Sequence, residues 1–122
     1  MDNSLIRVTM IVQCLKMKSP KEQRRKFDET MEAGFWQVGE NVEVINHNNL
    51  SVSTTSYWSR DFKAVKKQKQ ILKSTRSLLV RAAEYADILE LKAEIIIGEY
   101  PPETFSYHTD QPSDYFKNKT WR

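Results

Sequence analysis

Ile6, Val8, Met10, Val12 and Cys14 alternate with Arg7, Thr9, Ile11 and Gln13. A period of two commits this stretch to a strand with one apolar face, and the rest of the chain has to cover that face. The period then changes. Ser19-Pro20 supplies an N-cap residue and a proline at the first helical position, predicting a helix to about Ala33 with Phe27, Met31 and Phe35 turned inward and Gly34 ending it. Two short strands are expected at Val42 to Asn46 and Leu50 to Tyr57, joined by His47-Asn48-Asn49, because Asn tolerates the positive φ of a tight hairpin.

Ser59 and Asp61 read as the start of a long helix reaching about Asp87. Val65, Ile71, Leu72, Thr75, Leu78, Leu79, Ala82 and Ala86 fall on one side of it at helical spacing. Leu89, Leu91, Ala93, Ile95 and Ile97 then alternate with Glu90, Lys92 and Glu94, predicting a last strand closed by Gly98 and Pro101-Pro102. The resulting order, β-α-β-β-α-β, is that of a ferredoxin-like α+β sandwich with two helices on one face of a four-stranded antiparallel sheet. The expected organisation is an α+β domain over residues 1–100 and an irregular, aromatic- and proline-containing extension over residues 101–122.

The chain has 122 residues, enough for one core. No targeting segment is recognisable near its start, and no apolar run approaches the ~20 residues that a membrane helix needs. The single cysteine, Cys14, permits no intrachain disulfide. A cytoplasmic location without a membrane partner is expected.

Charge is unevenly distributed. Residues 1–58 are neutral, residues 59–81 carry +7 and the remainder −4, for a net +3. Both predicted helices begin with bases and end with acids, against the polarity that the backbone dipole favours. If the two helices share a direction, their basic starts meet at one end of the sheet. Lys18, Lys21, Arg24, Arg25, Arg60, Lys63, Lys66 and Lys67 would then form an anion-binding end, with Trp58 as a stacking surface. Lysine-rich helix faces are equally what solvation requires. Tyr115, Phe116 and Trp121 are the expected contacts for a partner or a second copy.

Catalytic constellations are sparse. Gly34, Gly39 and Gly98 are isolated, so no glycine-rich phosphate loop exists, and one cysteine with two histidines gives no zinc spacing. His108 and Asp110 form a minimal base–acid pair, placed in the extension where geometry is hard to hold. The expectation is a small non-enzymatic binding protein, of a regulator or inhibitor kind seen in phage and mobile elements. It needs no metal or cofactor, and its partner is nucleic acid or an acidic protein surface. The alternative is a structural or assembly subunit, virion-type or homo-oligomeric, that uses its opposed charged ends and its tail.

Overall fold

The computed structural model describes residues 4–46 and 51–110. The elements are β1 (Leu5–Met17), α1 (Pro20–Ala33), β2 (Gln37–Asn46), β3 (Ser51–Lys63), α2 (Gln68–Tyr85), β4 (Glu90–Ile97) and β5 (Glu103–His108). All five strands lie in one sheet, in the order β2-β3-β1-β4-β5, and every neighbouring pair is antiparallel. Residues 47–49, expected to turn the hairpin, and Tyr115, Phe116 and Trp121 lie outside the described residues.

The expected four-stranded ferredoxin-like sheet is corrected by this topology. A fifth strand comes from the segment assigned to an irregular extension. Its physical basis is the alternation of Phe105 and Tyr107 with Thr104, Ser106 and His108. Phe105 and Tyr107 pair with Ala93 and Leu91 and pack against the core, while the polar set faces solvent.

A second correction concerns the long helix. It starts at Gln68, and residues 59–63 instead continue β3 in register with β1, from Thr9–Ser59 to Leu5–Lys63. Trp58 and Phe62 belong to the period-two pattern and are buried. Ser59 and Asp61 imitate helix starts but pair with Thr9 and Arg7. Val65, placed on the apolar stripe of the helix, is exposed in the loop before it. Lys67 is the N-cap, and its backbone N–H donates to Gln70 Oε1 at 3.1 Å.

The helices cover one face of the sheet. Val8, Met10, Val12 and Cys14 meet Phe27 and Met31 of α1 and Ile71, Leu79 and Ala82 of α2, all buried. Each large aliphatic or aromatic side chain buried here contributes about 1.5–3 kcal/mol. Phe27 meets Trp58 edge-on at 6.1 Å, and Trp36 meets Phe62 at 6.3 Å. Trp36 fills the inner position expected for Phe35, which is exposed with its backbone in the left-handed region at φ 70°. The helices approach closely at Gly34, where an added Cβ would lie 2.6 Å from Leu78 Cδ2.

Candidate functional site

The predicted anion-binding end depends on both helices starting on the same side, and the strand register separates them. α1 leaves β1 at Met17, whereas α2 leaves β3 at Lys63, which pairs with Leu5 at the opposite end of β1. β1 has 13 residues, and at ~3.3 Å each its two ends are roughly 40 Å apart. Lys18, Lys21, Arg24 and Arg25 therefore sit at one end, with Arg60, Lys63, Lys66 and Lys67 at the other. The helices follow antiparallel strands, so they too run in opposite directions.

That arrangement accounts for the charge placement on the helices. The basic start of α1 lies beside the acidic finish of α2. Gln23 Nε2 donates to the Asp87 carbonyl at 2.8 Å, and Lys26 Nζ sits 5.7 Å from the centre of the Tyr85 ring. The opposed dipole of the neighbouring helix offsets part of the unfavourable end charge.

Several of the predicted contact residues are engaged within the chain. Arg24 is buried, with Nη1 donating to Asn41 Oδ1 at 2.7 Å and Thr54 Oγ1 at 2.9 Å and Nη2 to Asp28 Oδ1 at 3.1 Å. Arg25 pairs with Glu22 and Glu29 along its own helix, and the Glu22 carboxylate holds its guanidinium pKa above the ordinary value. The Arg60 guanidinium lies 4.2 Å from the centre of the buried Phe62 ring, and burial lowers its pKa. Trp58 offers no stacking surface: it is fully buried, and its Nε1 donates to Ser56 Oγ at 2.9 Å.

Among the described residues, no helix lies over the other face of the sheet. There the register sets Gln13 beside Lys92 and Lys92 beside Ser106, and in the next row Ile11 beside Glu94 and Glu94 beside Thr104. These residues line a groove of about 430 Å³, within the range usual for small-ligand sites. Tyr57 and Thr55 of β3 continue the two rows next to Ile11 and Gln13, and both Ile11 and Tyr57 are exposed. Lys92 and Glu94, two positions apart on one strand, present opposite charges on the same face. Neither has an ion-pair or hydrogen-bond partner among the described residues.

One end of the groove is bounded by further ionisable groups. Glu90 pairs in register with His108 and holds Lys16 Nζ at 3.3 Å, while His108 Nε2 lies 3.7 Å from Asp110 Oδ1. His108 is thus carried by a strand on the open face and not by a loose extension. The sequence signal that reveals this is the alternation from Glu103 to His108, which Pro101-Pro102 obscures. Cys14 points the other way, into the core, where burial pushes its thiol up to about 12 and leaves it protonated and inert. Among the described residues, no three or more His, Cys, Asp or Glu side chains converge as a metal site. Nor is any helix there long and apolar enough to cross a membrane.

A scan of protein-family models gives no match, and neither does a search of curated protein sequences. The fold is similar to that of a solved structure described as a phage SAM lyase in its apo state. The TM-score is 0.54 at 7% sequence identity, over 87% of this chain and 90% of that one. At this identity the likeness concerns architecture. It nevertheless corrects the expectation of a non-enzyme, which rested on small size and sparse catalytic motifs: an enzyme is built on this architecture at nearly the same length.

Proposed function

We propose that this chain is a phage-type enzyme that holds a small zwitterionic substrate on the open face of its sheet, with S-adenosylmethionine (SAM) the first substrate to test. The observation that carries the reading is the groove between β1, β4 and β5, where Lys92 and Glu94 stand unpaired beside Ile11 and Tyr57. The end-to-end fold likeness to a SAM lyase supports it. SAM carries a carboxylate, cationic ammonium and sulfonium groups, and a flat base. Lys92 suits the carboxylate, Glu94 the cationic part, and Ile11 with Tyr57 the base. Gln13, Thr104 and Ser106 add hydrogen-bonding groups around them.

A sulfonium is already an activated leaving group. In a lyase reaction a carbon–sulfur bond breaks without water entering, and the bonding pair stays on sulfur as a neutral thioether. The carbon gains a new bond inside the substrate, from its own carboxylate or from a neighbouring C–H that gives up its proton. The residues' share is therefore to orient the substrate and favour charge in the right places. The test is incubation with SAM followed by chromatography and mass spectrometry. Turnover is expected, falling at least tenfold in Glu94→Gln and in Lys92→Met while the melting temperature stays unchanged. SAM left intact, or variants as active as the parent, would contradict the reading.

A second reading is favoured by the lysines around the start of α2. Lys63, Lys66, Lys67, Lys69 and Lys73 have no carboxylate partner among the described residues. In this reading that end alone meets a polyanion such as RNA. Affinity for a generic RNA would then fall steeply with salt and weaken further when Lys63, Lys66 and Lys67 become Gln. Binding insensitive to both would remove it.

A further inference from the structure

The two edges of the sheet are built differently. At one edge, β5 turns Phe105 and Tyr107 toward the core and Thr104, Ser106 and His108 toward solvent, as a finished edge strand does. At the other edge all ten residues of β2 are exposed. Val42 and Val44 are 58% and 61% exposed on one face, while Val38 and Ile45 are 41% and 58% exposed on the other. Apolar residues on both faces of a strand are the pattern of a strand inside a larger sheet. Among the described residues no strand pairs with the outer edge of β2, an arrangement that proteins ordinarily blunt.

We propose that β2 pairs antiparallel with β2 of a second copy, joining the two sheets across a two-fold axis. The charges select both the occupant and the register. With Val42 opposite Val42 of the second copy, Asn41 falls opposite Glu43 and Glu43 opposite Asn41, and the irregularity between Val38 and Asn41 ends the regular pairing just beyond them. No acid then meets an acid. Each Glu43 faces an Asn41 whose Oδ1 accepts from the buried Arg24 guanidinium, so each carboxylate approaches a cation of the other copy. A register centred on Glu43, or one laying Glu40 against Glu43, sets like charges opposite each other and is disfavoured. The valines opposed at the centre supply the side chains best suited to cross-strand packing. This interface lies at the opposite edge of the sheet from β5, and its test reads mass and cross-linking rather than turnover, so it stands or falls independently of the function proposed for the groove.

Sedimentation of the full chain tests the pairing. A concentration-dependent species of twice the 14.4 kDa chain mass is expected, reduced to a single chain by Val42→Lys with the circular dichroism spectrum unchanged. Val42→Cys reads the register in an otherwise intact chain. Paired residues in antiparallel strands have Cα atoms about 4.5–5.5 Å apart, within reach of a disulfide. Oxidation should therefore link two copies covalently, with Cys14 too buried to contribute. Ile45→Cys should not link, because its counterpart lies six residues away along the strand. A parent chain that stays at one-chain mass up to millimolar concentration, or Ile45→Cys linking as readily as Val42→Cys, overturns the proposal.

Discussion

One sheet carries two unlike faces. On the helix side, two polar intrusions into the core are paired, Arg24 through three acceptors and Trp58 through Ser56, while Trp36 Nε1 and Thr75 Oγ1 are buried without a hydrogen-bond partner among the described residues. On the open side, Lys92, Glu94, Gln13, Thr104 and Ser106 cluster without side-chain partners among the described residues. Burying an unpaired polar group is costly, whereas leaving one in water is nearly free. The helix face therefore carries stability and the open face is available for binding. Substitutions should divide along that line.

The largest effect is expected for Leu79→Ala, which empties a fully buried position between α2 and the sheet. It should lower stability by about 3 kcal/mol in urea unfolding. Arg24→Met should cost about 2 kcal/mol, because it leaves Thr54 without its donor and removes the tie between α1, β2 and β3. A loss below half of that would place the hydrogen bonds of Arg24 among the dispensable ones. Both variants should retain the open-face groove.

Cys14 gives a pH-dependent contrast between the faces. Its folded pKa is raised from 9.0 to about 12 by burial. The unfolded chain therefore releases this proton first as pH rises. The contribution is complete below pH 9 and is lost progressively toward pH 12. In paired unfolding measurements, the stability of Cys14→Ala relative to the parent should rise across that window. A difference that stays flat would mean the thiol is less secluded than the helix-side packing indicates. At the small end, Lys92→Met and Glu94→Gln should move stability by no more than about 0.5 kcal/mol. A larger change in either would break the division of labour between the two faces.

The sequence disclosed elements more readily than their arrangement. β1 and α1 were legible because period and capping agree: Ile6 to Cys14 alternate, and Ser19-Pro20 opens a helix that ends before Gly34. The start of α2 was misread because Ser59 and Asp61 resemble caps and the lysines that follow resemble a solvated helix face. Trp58 and Phe62, buried at even spacing, were the evidence for strand. β5 was hidden by Pro101-Pro102, and with it the placement of His108 beside Glu90.

The basic end failed for a different reason. Residue types place charges on helices, but the relative direction of two helices follows from strand pairing. Because β1 and β3 are antiparallel, the cations expected together were set apart. The open-face groove was equally invisible, since Gln13, the pair Lys92 and Glu94, and the pair Thr104 and Ser106 come from three strands that are not all adjacent in sequence. Only the register brings them together.

The central claim is that the helix-free face is the ligand face. Amide chemical-shift mapping during titration with SAM tests it directly. Saturable changes confined to Ile11, Gln13, Lys92, Glu94, Thr104 and Ser106 and their strand neighbours are expected, absent in Glu94→Gln. Changes centred on the helices or on β2, or none at saturating SAM, would contradict it.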